Sequence, residues 1–163
     1  MYEIERKFIV YSDKWLKLVP EEISFIRQGY IPSPKACIRA RIYDNNRAEL
    51  TLKGPPVDKD KRKRLEFNCA ISPDYARQII DNFCESELMK KRYKLKYYGK
   101  IWEVDVFFGS LYGLVLAEIE LVHEHEKFVR PSWVAEEVTG DERFSNASLA
   151  KYKKRLIGEF LGE

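Results

Sequence analysis

The chain has 163 residues, of which 45% are apolar and 34% charged, and its 29 Lys and Arg nearly balance 26 Asp and Glu. This length predicts one domain spanning residues 1–163, and the net charge of +3 disfavours a nucleic-acid-binding protein, which carries an excess of basic residues. No apolar run predicts a signal peptide or a membrane span, and three scattered cysteines favour reduced thiols, so we expect a cytoplasmic protein.

Strands dominate the first three quarters of the chain, where apolar and polar residues alternate. The alternation predicts about eight β-strands, near residues 2–10, 25–31, 36–43, 48–54, 63–71, 89–97, 100–107 and 115–122. Capping residues and helical spacing predict helices that begin near Ser12, Ser72, Pro131 and Asn146. We expect the third to end at Gly140, and the fourth to carry one apolar stripe of Leu149, Tyr152, Leu156 and Phe160. Antiparallel strands with a few helices indicate the α+β class.

One face of nearly every predicted strand is charged, while the other is apolar. In the first strand, for example, Glu3, Glu5 and Lys7 share a face because alternate side chains of a strand point the same way. Over all strands this face holds Lys7, Arg39, Arg41, Lys53, Arg64, Lys90, Arg92 and Lys94, together with Glu3, Glu5, Glu49, Glu66, Glu103, Asp105, Glu118 and Glu120.

Two architectures can accommodate strands with one charged and one apolar face. An open sheet with one side in water would use mixed charges for solubility. A closed barrel would instead have a charged lumen and an apolar outside covered by helices. The face contains few Ser, Thr, Asn or Gln residues, which favours the barrel.

A charged lumen requires a ligand, because burying this many ionised groups has a large desolvation cost. Arg and Lys side chains bind phosphate oxygens, and carboxylates bind hard divalent cations that bridge to phosphates. The pattern therefore predicts a small polyanionic ligand bound together with a divalent metal.

The N-terminal run Glu3-Ile4-Glu5-Arg6-Lys7 resembles the ExExK signature of the CYTH domain, the core of the triphosphate tunnel metalloenzymes. Further motifs follow in the order that this family shows them: Arg39-Ala40-Arg41, Thr51-Leu52-Lys53-Gly54, Arg64-Leu65-Glu66, Lys90-Lys91-Arg92-Tyr93, Trp102-Glu103-Val104-Asp105 and Ala117-Glu118-Ile119-Glu120. The resemblance extends along nearly the whole chain.

The resemblance implies an eight-stranded antiparallel β-barrel that binds triphosphate and Mg²⁺ or Mn²⁺. It implies phosphate binding by Lys7, Arg39, Arg41, Lys53, Arg64, Lys90 and Arg92. It implies metal binding by Glu3, Glu5 and Glu120, with Glu118 and Asp105 close to the metal or its waters. Catalysis is expected to involve Glu66 or Glu118, orienting the attacking water, and Lys90. Asn68 stands where the family often has Glu, which weakens the case for a second metal site.

The resemblance implies a metal-dependent hydrolase that cleaves the terminal phosphoanhydride of inorganic triphosphate, with nucleoside and thiamine triphosphates as further candidate substrates. Two alternatives stay open: a class IV-type adenylate cyclase and a non-catalytic polyphosphate-binding module. We expect neither a nucleic acid nor a membrane as partner. A homodimer is compatible with the sequence, which does not fix the oligomeric state.

Overall fold

Antiparallel strands are the main regular structure of the protein, and a computed structural model describes residues 2–59 and 63–152. The strands of the described residues are β1 Tyr2–Val10, β2 Glu22–Ile31, β3 Cys37–Tyr43, β4 Arg47–Pro56, β5 Lys63–Ile71, β6 Ser86–Tyr97, β7 Lys100–Phe107, β8 Val115–Glu120 and β9 Val134–Glu137. The α-helices are α1 Pro73–Phe83 and α2 Asn146–Leu149, and short 3₁₀ turns occupy Asp13–Lys17, Gly109–Leu111 and Glu142–Phe144.

The first eight strands close into a barrel. Around the barrel their order is β1, β5, β4, β3, β2, β6, β7 and β8, and β8 pairs with β1 again. The closing contacts lie on β1, which places Glu3 opposite Arg64 of β5 and Glu5 opposite Glu120 of β8. The predicted eight-stranded antiparallel barrel is therefore confirmed, although β2 and β6 begin a few residues earlier than the alternation indicated.

The helix predicted between Pro131 and Gly140 is wrong, because Val134–Glu137 forms strand β9. This strand pairs with the end of β1, where Val10 lies opposite Val134. Strand β5 covers the same edge of β1 only over residues 2–4, so the later residues need another backbone partner. Pairing with this open edge overrides a local sequence that is compatible with a helix.

The predicted helix at Ser72 is confirmed and covers part of the barrel wall. The Ser72 side chain accepts a hydrogen bond from the Tyr75 amide, and Pro73 occupies the first turn. Ala76 and Ile80 of α1 are buried against apolar residues of β3 and β4, namely Ala40, Ile42 and Ala48. Within residues 2–59 and 63–152, no helix is long and apolar enough to cross a membrane.

The other two predicted helices are short. The helix at Ser12 is a 3₁₀ turn that buries Trp15, and the helix at Asn146 reaches Leu149. The apolar stripe predicted for the helix at Asn146 also included Leu156 and Phe160, which lie outside the described residues.

Two further apolar clusters border the charged lumen. One lies outside the wall formed by β7, β8 and β1, where Trp102 packs against Phe8 and Trp133 and where Trp15 belongs to the same cluster. The other joins Ile9, Leu88, Phe107 and Leu116 to Phe144 and Leu149. Those four strand residues share the parity of the charged face, so their side chains fill one end of the barrel interior. The charged lumen is thereby confined to the other part of the barrel.

Candidate functional site

The barrel encloses a cavity of about 390 Å³ whose lining carries both signs of charge. Most of the predicted site residues line this cavity: Glu3, Glu5, Lys7, Arg39, Arg41, Lys53, Arg64, Glu66, Arg92, Glu118 and Glu120. They come from β1, β3, β4, β5, β6 and β8, which are distributed around the barrel. The charged faces that the sequence pattern identified therefore converge on one enclosed space.

Lys90 and Asp105 lie beneath this lining rather than in it. Their side chains are 0% and 1% exposed, and Lys90 Nζ lies 2.5 Å from Asp105 Oδ2. Arg92 donates two hydrogen bonds of 2.7 Å to the same carboxylate. Burial, followed by the charge of Arg92, lowers the pKa of Lys90 to about 7 despite the attraction of Asp105. The predicted contacts of Lys90 with phosphate and of Asp105 with metal stay predictions.

A chain of ion pairs links this buried pair to the lumen. Arg92 Nη2 lies 3.1 Å from Glu118 Oε2, and Lys7 Nζ lies 2.8 Å from Glu118 Oε1. Burial alone would raise the pKa of Glu118, but Lys7 and Arg92 outweigh it and hold the pKa well below its usual value. Glu118 is therefore ionised at neutral pH, with both carboxylate oxygens directed at cations.

The segment after β9 completes the lining of the lumen next to these ion pairs. The backbone carbonyl of Phe144 accepts a hydrogen bond of 3.2 Å from Lys7 Nζ, and Asn146 Oδ1 accepts one of 3.2 Å from Lys90 Nζ. Residues 145–147 also line the cavity. Since these contacts involve Lys7 of the lining and Lys90 beneath it, the segment helps to fix the positions of both ammonium groups.

A second charged group surrounds Lys53 of β4 in the lining. Its ammonium contacts Glu3 directly and lies 3.4 Å from Glu66 Oε2 and 3.7 Å from Glu5 Oε2. Glu66 also accepts a hydrogen bond of 2.9 Å from the Asn68 amide. One ammonium group thus faces three carboxylates from two adjacent strands of the wall.

The carboxylates of this group differ in protonation. Burial and the nearby charge of Glu5 raise the pKa of Glu3 to about 7. Burial also acts on Glu66, but hydrogen bonds from Glu3 and Asn68 outweigh it and lower its pKa to about 2. Burial and the charge of Glu103 raise the pKa of Glu120. Negative charge is therefore crowded in this part of the cavity.

The cations of β3 donate hydrogen bonds to neutral groups and also lie within 3.6 and 3.7 Å of Glu49 Oε1. Arg41 Nε donates to Gln28 Oε1 at 2.8 Å, and Arg39 Nη2 donates to Thr51 Oγ1 at 3.0 Å. Arg39 Nε is buried and has no hydrogen-bond partner among the described residues. A buried guanidinium N–H group without a partner is costly, and an anion in the cavity could accept its hydrogen bond.

Several lining residues were not among the predicted site residues. Tyr43 and Thr51 could have been included, since they share the parity of Arg41 and Lys53 on their strands. Glu49 and Glu103 were placed on the charged face but not assigned a role, and both line the cavity. Residues 145–147 follow the last strand, and no periodic pattern places them at the lumen.

The lining residues fit a divalent cation. Glu3, Glu5, Glu66 and Glu120 supply hard oxygen donors in one part of the cavity, where burial and then the charge of neighbouring carboxylates raise the pKa of Glu3 and of Glu120. In the part of the chain that the structure describes, no three acidic, His or Cys side chains are grouped closely enough to hold an ion alone. Mg²⁺ commonly uses only one or two carboxylates and completes its shell with water and substrate phosphates.

Comparisons with known proteins agree with this geometry. The family model of the CYTH domain matches residues 1–152. A curated inorganic triphosphatase of Acetivibrio thermocellus is 41% identical over 151 residues, which cover 91% of this chain and 93% of the relative. A curated inorganic triphosphatase of Nitrosomonas europaea is 34% identical over 156 residues, covering 92% of this chain and 97% of the relative.

The fold is also similar to a solved structure. A crystal structure of an inorganic triphosphatase superposes with a TM-score of 0.63 at 30% sequence identity. The superposition covers 92% of this chain and 95% of that protein.

Proposed function

The chain belongs to the CYTH domain family, and from this membership and the geometry of its cavity we propose that it hydrolyses inorganic triphosphate. The reaction is the attack of water on a terminal phosphorus, which breaks the phosphoanhydride bond and releases orthophosphate and pyrophosphate. We propose that it requires a divalent cation, Mg²⁺ or Mn²⁺. The inorganic triphosphatases to which the chain is similar support this choice of substrate.

The observation that carries the proposal is the pairing of cations and carboxylates in one enclosed cavity. A phosphate chain alone would satisfy the cations and repel the carboxylates, and a metal alone would do the reverse. A phosphate chain bound with a divalent cation matches both sets of charges.

The cations of the lining would bind the phosphoryl groups. Lys7, Arg39, Arg41, Lys53, Arg64 and Arg92 project into the cavity from five strands and can surround a short phosphate chain. Charge stabilisation accounts for most of the catalysis of phosphoryl transfer, because little covalent chemistry is required of the protein. The same cations would stabilise the negative charge that develops on the leaving pyrophosphate.

The carboxylates would hold the metal. We assign this role to Glu3, Glu5 and Glu120, which lie at one part of the lining. When bound there, a divalent cation would neutralise phosphate charge and make the terminal phosphorus more electrophilic. Because Asp105 lies beneath the lining, we assign it the role of holding Lys90 and Arg92 in position.

The attacking water needs a hydrogen-bond acceptor, and Glu66 and Glu118 are the candidates. Both carboxyl groups have lowered pKa values and so are ionised at neutral pH. An ionised carboxylate can accept a hydrogen bond from water and direct its lone pair at phosphorus. Lys90, held 3.2 Å from Asn146 Oδ1, would support the site from beneath.

The test is release of orthophosphate from tripolyphosphate, with Mg²⁺, with Mn²⁺ and with a chelator. We expect hydrolysis only with metal, and a loss of about 100-fold or more in kcat/KM for Glu5→Gln, since this change removes a charged metal ligand. Glu87→Gln is the matched control, because Glu87 lies on the outer face of β6, where it pairs with Arg27. Metal-independent release, or equal activity of both variants, would contradict the proposal.

The same assay separates the alternatives. Cyclic AMP formed from ATP and Mn²⁺ at a rate above that of tripolyphosphate hydrolysis would identify a cyclase. Tight tripolyphosphate binding without phosphate release would identify a binding module. A preference for ATP or thiamine triphosphate over tripolyphosphate would contradict the assigned substrate.

A further inference from the structure

The ammonium group of Lys53 lies where several carboxylates converge. It contacts Glu3 directly and lies 3.4 Å from Glu66 Oε2 and 3.7 Å from Glu5 Oε2. Its side chain is 17% exposed, so water compensates little of the charge on these groups. Lys53 therefore acts as the local counter-ion of the carboxylates that the proposed function assigns to metal binding.

We propose that Lys53 competes with the divalent cation for these carboxylates, and that triphosphate binding relieves the competition. Two positive groups at one set of carboxylates repel each other, since like charges a few ångström apart interact strongly in a partly buried site. Metal binding must therefore displace the ammonium group. The inference rests on the proposed function for the identity of the anion.

The cavity offers the displaced ammonium group a second position. Arg39 and Arg64 line the same space and mark where phosphate oxygens would lie. A lysine has a flexible stem and a compact charge, so it can turn from carboxylates to phosphate by rotating its side chain. Phosphate bound beside Arg39 and Arg64 would give Lys53 new acceptors and free Glu3 and Glu5 for the metal.

This exchange couples the two ligands. If triphosphate frees the carboxylates, it raises the affinity for metal, and by linkage metal raises the affinity for triphosphate to the same extent. Lys53 thus makes the metal bind weakly to the empty cavity and tightly to the cavity that holds substrate.

The test measures binding of Mn²⁺ alone, from the loss of the electron paramagnetic resonance signal of free Mn²⁺ as protein is added. We expect Lys53→Met to lower the Kd for Mn²⁺ by about tenfold or more, because removing the ammonium group leaves the carboxylates to the metal. Lys53→Arg keeps the charge and should bind Mn²⁺ like the wild type. Lys94→Met is the matched control, since Lys94 pairs with Glu22 and does not line the cavity.

A second titration adds a non-hydrolysable imido analogue of triphosphate, with Mn²⁺ bound by the free analogue subtracted in a protein-free run. The analogue should lower the Kd for Mn²⁺ more in the wild type than in Lys53→Met. The inference is wrong if Lys53→Met binds Mn²⁺ no tighter than the wild type, or if Lys94→Met tightens binding equally. Should Lys53→Met fail to fold, Lys53→Gln takes its place with the same expected result.

The outcome is independent of turnover, because Mn²⁺ alone is titrated without substrate. Hydrolysis of tripolyphosphate with no change in the Kd of Lys53→Met would overturn this inference and leave the proposed function intact. A tighter Kd of Lys53→Met for Mn²⁺, without hydrolysis of tripolyphosphate by the wild type, would support this inference and contradict the proposed function.

Discussion

Asp105→Asn should destabilise the protein severely, because it removes the most deeply buried carboxylate that pairs with Lys90 and Arg92. Asp105 is 1% exposed and accepts hydrogen bonds from Lys90 at 2.5 Å and from Arg92 twice at 2.7 Å. The asparagine would keep one acceptor oxygen and direct an NH₂ group at the same cations. Lys90 and Arg92 would then be buried with too little negative charge near them.

The magnitude follows from the burial. Removing one partner of a buried ion pair costs about 3–5 kcal/mol, because the other charge is left without compensation. For a chain of this size, each kcal/mol lowers Tm by about 2–4 °C, so Asp105→Asn should lower Tm by about 6–20 °C. Glu103→Gln is the internal control, since Glu103 also pairs with Arg92 but its side chain is 29% exposed. Its cost should be below about 1 kcal/mol.

Thermal unfolding followed by far-UV circular dichroism gives both values, and urea unfolding checks that the m value is unchanged. Lys90→Met in the Asp105→Asn background should recover part of the loss, because it removes a buried polar group that has lost its carboxylate partner. The reasoning is refuted if Asp105→Asn melts within about 2 °C of the wild type, less than the lowest cost implies, or if it loses no more stability than Glu103→Gln.

Two further predictions concern the frame around the site. Gly29→Ala should lower the free energy of unfolding in urea by about 1–3 kcal/mol, because the new Cβ would lie 2.8 Å from Cys84 Sγ. Adding Cys84→Ala should restore part of this free energy, and an unchanged free energy for Gly29→Ala alone would contradict the packing. Burial alone would raise the pKa of Glu137, but hydrogen bonds from Arg6 and Thr139 outweigh burial and lower the pKa below 4.5. The ionised carboxylate therefore stabilises the fold fully above pH 4.5, and this stabilisation is lost as the pH falls through the lowered pKa. The difference in unfolding free energy between wild type and Glu137→Gln should therefore be largest near neutral pH and shrink as the pH falls from about 5 to 3, whereas a pH-independent difference would exclude this ion pair as its source.

The sequence was sufficient for the eight barrel strands and for their charged faces, because both follow from a period of two residues. Alternate side chains of a strand share a face, and this rule both identified Glu3, Glu5 and Lys7 in the sequence and places them in the lumen. The barrel closure also followed, since a large charged face with few neutral polar residues is unsuited to an open surface.

The parts that could not be predicted depend on tertiary contacts. Strand β9 has only four residues, too few to show a period, and it forms because β5 leaves the end of β1 unpaired. That Lys90 and Asp105 lie beneath the lining was likewise not predictable, because Lys90 shares the parity of Arg92 and Asp105 that of Glu103, and both Arg92 and Glu103 line the cavity. Depth along the barrel depends on the apolar residues that fill one end, and strand periodicity carries no information about it.

The most direct test of the enclosed charged cavity is a crystal structure with Mn²⁺ and the non-hydrolysable imido analogue of triphosphate. The structure predicts an anomalous Mn²⁺ peak inside the barrel, bound by oxygens of Glu3, Glu5 or Glu120 and by phosphate oxygens. The phosphate chain should contact Arg39 and Arg64. An analogue bound on the outer face of the barrel, or a Mn²⁺ peak remote from these carboxylates, would contradict the account.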